Sequence, residues 1–397
     1  MPAGLDRRRP IRDDGGMVID VHCHVGFSAR PVDPNAARFA FEPRGAAGTP
    51  GLDSYLSPRL LRRAAWWLVR RWMGIDPSLP RGPELDHAIE TVNRRHWEQT
   101  SADRLVLLAF DEYHDRAGQP VGMAEVGAPV GSDLYASNSL VRGMCAAWPE
   151  KLLFGASIHP YRPGAREMLG EVSAAGAVLC KWLPIHQNID AADSRTVDFL
   201  RAAGQLGMPM LIHYGGEMSL ARQHMEFEHP GPLLEALRVL RRDGAMPPVI
   251  VAHVATPSFP WQSSAGYEQL ISAMLGEFSD APLFADISAL AAAGRTGWLK
   301  RLARRREVHR KLVWGSDYPI PVIPALLWPA IDARTRRRLR ALPSWIEQDL
   351  QLKRALGFAD CVFEQAAEFL RRSGSGSSQG ASAATSTSSP GATNQTR

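Results

Sequence analysis

Apolar residues gather along the chain into eight short runs with strand character, at 17–25, 104–110, 152–158, 177–183, 208–213, 248–253, 282–287 and 311–316. Between most of them the apolar spacing changes to that of an amphipathic helix, over 84–100, 137–147, 193–206, 230–242 and 265–278. Strands that alternate with helices pair in parallel, because each helix carries the chain back to the end where the previous strand began. Eight such units predict an α/β architecture, a closed (β/α)8 TIM barrel, rather than an open doubly wound sheet. The runs carry no Gly-x-Gly-x-x-Gly turn and no Gly-x-x-x-x-Gly-Lys loop, which excludes the commonest nucleotide-binding forms.

Two regions fall outside the repeat. Residues 27–83 form an insertion after the first strand, and 320–372 a Pro-rich loop with a helical C-terminus. Within the insertion, "SPRLLRRAAWWLVRRWMG" reads as one helix, with Leu61, Ala65, Leu68 and Trp72 on one face and Arg59, Arg63 and Arg70 roughly opposite. Such a helix is expected to cap its own protein or a second subunit, the alternative being a membrane surface. The pattern therefore predicts one barrel domain over 17–372, preceded by a loose arm over 1–16. A Ser- and Gly-rich tail follows over 373–397, too poor in apolar residues to fold.

Composition narrows the picture. With 397 residues, 45% of them hydrophobic, the chain can bury a large core. The net charge of +5 is spread over surface-type helices and short arginine clusters. No recognisable module accompanies it, so no nucleic-acid partner is expected, and a small-molecule substrate is. The four cysteines lack Cys-x-x-Cys spacing and sit among apolar residues, which suggests a reducing, cytoplasmic setting. No stretch approaches 18 uninterrupted apolar residues, so no membrane span is expected. Assembly into a homo-oligomer stays open. Only five of the 46 basic residues are lysines, which singles out the one inside a strand run, Lys181.

In such a barrel, chemistry sits at the C-terminal ends of the strands. The first strand, "VIDVHCHVG", should place Asp20, His22 and His24 on one face and Val21, Cys23 and Val25 on the other. The fourth strand carries Lys181, with Leu179 and Leu183 on its side and Cys180 and Trp182 outward. The fifth ends in His213, the sixth in His253, and the eighth is followed by Asp317. Singly, each has an ordinary explanation: a hydrogen-bonded core histidine, a helix cap, a snorkelling lysine. Together, six buried polar groups at ~1–3 kcal/mol each would strain a domain with only ~5–15 kcal/mol to spare. A divalent cation is the common partner that resolves this. Imidazole and carboxylate suit zinc best, with manganese, iron or nickel as alternatives.

The quoted pieces "DVHCH", "IHYG", "AHVA" and "GSDYP", in this order and spacing over about residues 17–370, resemble the amidohydrolase superfamily of metal-dependent hydrolases, specifically its amidohydrolase-related branch. The C-terminal "FEQAAEFLRR" departs from the Asn-Ala pair common there. The resemblance implies a barrel holding one or two metals. His22, His24 and Asp317 would hold one ion, and His213 and His253 a second. Lys181, carbamylated by carbon dioxide, would bridge them; left unmodified, it would instead bind an acidic substrate group. Asp317 would take the proton of a metal-activated water and pass it to the leaving group, and in a one-metal form His253 would orient that water. His159, His186 and Trp261, in loops near the same end, are candidate substrate contacts. The leading expectation is hydrolysis of an amide, ester or lactone. The alternatives are metal-dependent, non-oxidative decarboxylation of an aromatic or unsaturated acid, and a barrel kept only as a binding scaffold.

Overall fold

A computed structural model describes residues 16–370. The expected arm, apart from Gly16, and the whole of the expected tail lie outside the described residues. Eight parallel strands form one sheet: β1 (Ile19–His24), β4 (Arg104–Leu108), β6 (Leu152–Ala156), β7 (Leu179–Trp182), β8 (Met210–His213), β9 (Val249–Ala252), β10 (Leu283–Asp286) and β11 (Leu312–Val313), neighbours in that order. The last strand returns to the first. Val21 N–H donates to Trp314 O at 3.3 Å, Asp317 N–H to His22 O at 2.8 Å and His24 N–H to Tyr318 O at 2.8 Å. The sheet is thus the (β/α)8 barrel that the alternating pattern predicts.

Strand side chains sort by period two. Val106 and Leu108, Leu179, Leu211, Ile250 and Val313 pack with one another in one buried cluster, the barrel interior. Their neighbours Leu105 and Leu107, Cys180, Met210, Ile212, Val251 and Leu312 belong to the larger core between strands and helices. The first strand breaks this rhythm. Its pairing with β4 shifts register between Asp20 and Cys23. Val21 therefore joins the interior cluster and Cys23 the outer one. Strict alternation, with Val21 and Cys23 on one face, does not hold, because a bulge adds a residue and resets the phase. Asp20 is drawn instead into the strand junction, where Oδ1 accepts from His22 N–H at 3.0 Å and Ser316 N–H at 2.9 Å.

The insertion holds more than helix. β2 (Ala29–Pro31) and β3 (Leu52–Leu56) join β5 (Leu134–Ala136), from the connection after β4, in a small antiparallel sheet. The expected single helix is two, Pro58–Leu61 and Ala64–Met73, broken at Arg62 and Arg63. Its faces also differ from the pattern. Leu60 and Met73 are buried, whereas Leu68 and Trp72 are 37% and 49% exposed. Arg70 turns inward, because its guanidinium donates to the carbonyls of Pro77 and Leu79 in the segment that follows. The helix pair caps its own protein: Arg59 Nε meets Asp133 at 2.8 Å, and Arg63 donates to Ser219 O at 2.9 Å and Met218 O at 3.1 Å.

The C-terminal helix Trp345–Ala355 secures the far side of the last strand. Asp349 and Lys353, one turn apart and fully buried, form an ion pair. Lys353 Nζ also donates to Gly315 O at 3.0 Å, and Trp314 Nε1 donates to Asp349 at 2.9 Å. The pair thereby fixes the segment that leads into Asp317. Lys353→Met leaves a buried carboxylate without its cation, and the expected loss is ~3–5 kcal/mol of unfolding free energy in urea. Asp349→Leu combined with Lys353→Met should recover part of it. A single-variant loss under ~1 kcal/mol would show that the pair does not hold this corner.

Candidate metal centre

The same rhythm that fills the barrel carries polar side chains to its C-terminal mouth. Two residues beyond inward Leu179 comes Lys181, two beyond Leu211 comes His213, and Val313 leads through Gly315 to Asp317. After the β1 bulge, His22 and His24 take up the inward phase. Gly315 is required there, since a Cβ at that position would sit 2.7 Å from His22 Cβ. His253 arrives differently. It opens a left-handed turn at the end of β9, with φ of 54°, 53° and 50° at His253, Val254 and Ala255. Such values are rare for non-glycine residues and cost on the order of 1–3 kcal/mol each. Asp286 at the end of β10 holds the turn by accepting from His253 N–H at 2.9 Å.

The six expected residues converge. His22 Nε2 lies 3.1 Å from His24 Nε2 and 3.1 Å from Lys181 Nζ. Asp317 Oδ1 is 3.3 Å from His22 Nε2 and 3.2 Å from His24 Nε2, while Oδ2 is 3.7 Å from His253 Nε2. The His213 and His253 rings meet edge to face at 4.8 Å.

Hydrogen bonding assigns two tautomers. His22 Nδ1 lies 2.8 Å from the Asp286 carboxylate, and His253 Nδ1 lies 3.0 Å from Ser288 O. Each Nδ1 therefore carries the proton, and each Nε2 turns a lone pair toward the centre. Those lone pairs face the carboxylate of Asp317, a set of acceptors that favours a cation, as the Lys181 nitrogen 3.1 Å from His22 Nε2 illustrates. His213 Nε2 is buried with no hydrogen-bond partner at all. The donor set thus fits a divalent ion. His22, His24 and Asp317 form one group of ligand atoms close enough to share it. His22, His253 and Asp286 form another, but its atoms include the proton-bearing Nδ1 positions, so Asp286 is the group that orients the rings. Ser288 Oγ completes that support, 3.1 Å from His22 Nδ1 and 2.9 Å from His253 Nδ1.

Electrostatics agree with neutral ligands. Burial holds the His22, His213 and His253 imidazoles well below their ordinary range, helped by the nearby cations Lys181 and Arg295. Burial pushes Lys181 down to about 8 against the opposing pull of Asp317, Asp286 and Glu217. Burial alone would raise Asp317, yet His22, His24 and Lys181 outweigh it and keep the carboxyl below its usual value.

The other three candidates sit apart from the cavity walls. His159 is buried with Nε2 2.7 Å from Gln187 O and Nδ1 accepting from Tyr161 N–H at 3.1 Å. His186 accepts from Asp133 N–H at 3.1 Å through Nε2 and has Nδ1 3.0 Å from Ala221 O. Both rings are used in holding loops together. Trp261 is 77% exposed and stacks on Phe259. Three residues escaped the sequence reading. Asp286 and Ser288 were hidden inside "PLFADIS", although an inward carboxylate at a strand's C-terminal end is the same signal that marked His213. Glu217 follows His213 by four residues through a Gly-Gly turn, and its Oε2 lies 3.6 Å from His213 Nε2.

Comparison with known proteins places this geometry in context. No family model matches the chain, and no curated protein does. Solved structures do. An uncharacterised TIM-barrel protein from Bordetella bronchiseptica is 14% identical, with 90% of this chain and 99% of that one covered and a TM-score of 0.52. A probable 2-pyrone-4,6-dicarboxylic acid hydrolase from Acinetobacter baumannii, with citric acid bound, is 15% identical, covering 89% and 99%, at a TM-score of 0.48. The 5-carboxyvanillate decarboxylase from Sphingomonas paucimobilis is 13% identical, covering 90% and 99%, at 0.45. The first of these shows a shared fold, the α/β TIM barrel.

The orienting role of Asp286 yields a measurable expectation. Asp286→Asn should lower divalent-metal affinity by ~10–100-fold in a competition titration against a chelator, with Ser288→Ala lowering it less. Unchanged affinity in a folded Asp286→Asn protein would remove Asp286 from that role.

Proposed function

We propose that the protein is a metal-dependent hydrolase of the amidohydrolase superfamily, cleaving an amide, ester or lactone. The observation that carries this reading is the pair of deprotonated ring nitrogens, on His22 and His253, aimed at the Asp317 carboxylate. His22, His24 and Asp317 would hold one ion. His213 and His253 would hold a second, with Lys181 between them as a carbamate formed by its amine and carbon dioxide with loss of a proton. Zinc suits this donor set best. A divalent ion bound there supplies a Lewis acid and brings the pKa of water from 15.7 toward about 7.

The chain's own residues do the rest. Asp317, whose carboxyl is held below its usual range in the metal-free site, would accept the proton of the attacking water and return it to the leaving group. Asp286 and Ser288 hold the His22 and His253 rings in one tautomer throughout. Burial of these groups beneath the cap helices leaves their charges less screened than at the protein surface.

Metal analysis of protein grown with defined metals tests the proposal. The expected result is one or two equivalents of divalent ion in the wild type, loss of metal in His22→Ala and Lys181→Ala, and loss of ester or lactone turnover on chelation. Two ions with a carbamate on Lys181 support hydrolysis. One ion beside a free Lys181 amine favours the decarboxylase reading, in which that amine receives the substrate's carboxylate. Unchanged stability and ligand binding after chelation would leave only a scaffold barrel.

A further inference from the structure

The cavity that opens from the centre has walls of unusual uniformity. It encloses about 1010 Å³ of space between atoms, its open mouth and adjoining solvent included. Beneath the cap helices it is lined by Leu61, Trp66, Met73, Leu85, Ile89 and Phe110. Away from the metal centre and the Glu217 loop, only Asn93 and Arg70 bring polar side chains to its wall, and each is partly engaged. Asn93 Oδ1 accepts from the Tyr318 hydroxyl at 2.9 Å. The terminal nitrogens of Arg70 donate to Leu79 O at 3.3 Å and Pro77 O at 2.5 Å, leaving only its buried Nε without a partner. A charged group placed in this chamber would lose its hydration and gain little in return.

We infer that the substrate is an uncharged, lipophilic ester, lactone or amide, whose apolar acyl chain or ring fills the chamber under the Ala64–Met73 helix while its carbonyl lies at the centre. The chemistry of the carbonyl rests on the hydrolase reading above; the apolar selectivity of the chamber does not. Two continuities support the assignment. The chamber shares His24, Lys181, His213, His253 and Asp317 with the centre, so a group seated in it is attached to whatever reacts there. Trp66 lines both this chamber and the second lobe of the cleft, which runs along the other side of the same helix past Arg295. The cap helix is therefore the wall that decides what fits.

An unreactive pair of ligands tests the chamber apart from the reaction: phenylethyl methyl ketone, and its counterpart with a carboxylate on the far end of the ring. Calorimetry is done on the metal-loaded and the chelated protein. The neutral ketone should bind both forms with a negative heat-capacity change. The carboxylate should bind at least about tenfold more weakly, the least that burying an unpaired charge costs. Leu61→Glu, at a half-buried position, should weaken the ketone by a similar factor, and Leu61→Met should not. Equal or tighter binding of the carboxylate would overturn the inference; failure of both ligands to bind would overturn it as well. Ketone binding with no turnover of any neutral ester, lactone or amide would leave the chamber standing and defeat the hydrolase reading instead.

Discussion

A carboxylate that faces ring lone pairs at the bottom of a buried mouth is the constraint on which this molecule depends. Asp317 cannot move away, because its backbone N–H is bonded to His22 O and its left-handed φ of 60° is set by the strand junction around it. His22 and His253 cannot turn their protons toward it, because Asp286 and Ser288 already accept from the opposite ring nitrogen. The local irregularities of the barrel serve this confrontation. The bulge in β1 brings His22 inward, the left-handed turn after β9 swings His253 round, and Gly315 gives the His22 side chain room. Each departs from regular strand geometry at the end of the barrel where the polar groups meet, and the apolar layers below remain regular.

The support around the centre is layered by polarity. The buried Asp349–Lys353 pair works from outside the barrel, on the strand that delivers Asp317. The apolar cap works from above, lowering the local dielectric so that fixed charges act more strongly than they would in water. Between them lies the mouth, where His213 Nε2 is buried without a hydrogen-bond partner.

Much of this was legible from residue order alone. The eight strand runs were found because strand interiors are made of Val, Ile and Leu, and every one became a strand. His213 and Asp317 stood out because each ends or follows an apolar strand run, and Lys181 because it shares a strand face with Leu179 and Leu183. The small antiparallel sheet was not legible: its strands are three to five residues long and pair across gaps in sequence that no local pattern records. The bulge at Asp20 was equally silent, since a change of phase leaves no mark in composition. Arg70 was misplaced because a helix-face argument counts only the helix's own residues, and the carbonyls that draw this guanidinium inward belong to the turn after it. His159 and His186 were overvalued for a related reason. A loop histidine near a barrel mouth looks the same in sequence whether it faces a ligand or ties two loops together.

The two bonds from Arg63 to the carbonyls of Met218 and Ser219 join parts that differ in kind. One is the roof of the apolar chamber; the other is the loop that presents Glu217 to His213. Because Arg63 holds to main-chain atoms, lifting the roof pulls on that loop's backbone. The wall that shapes the apolar chamber and the carboxylate beside the His213 imidazole are thus tied to one another through a single guanidinium.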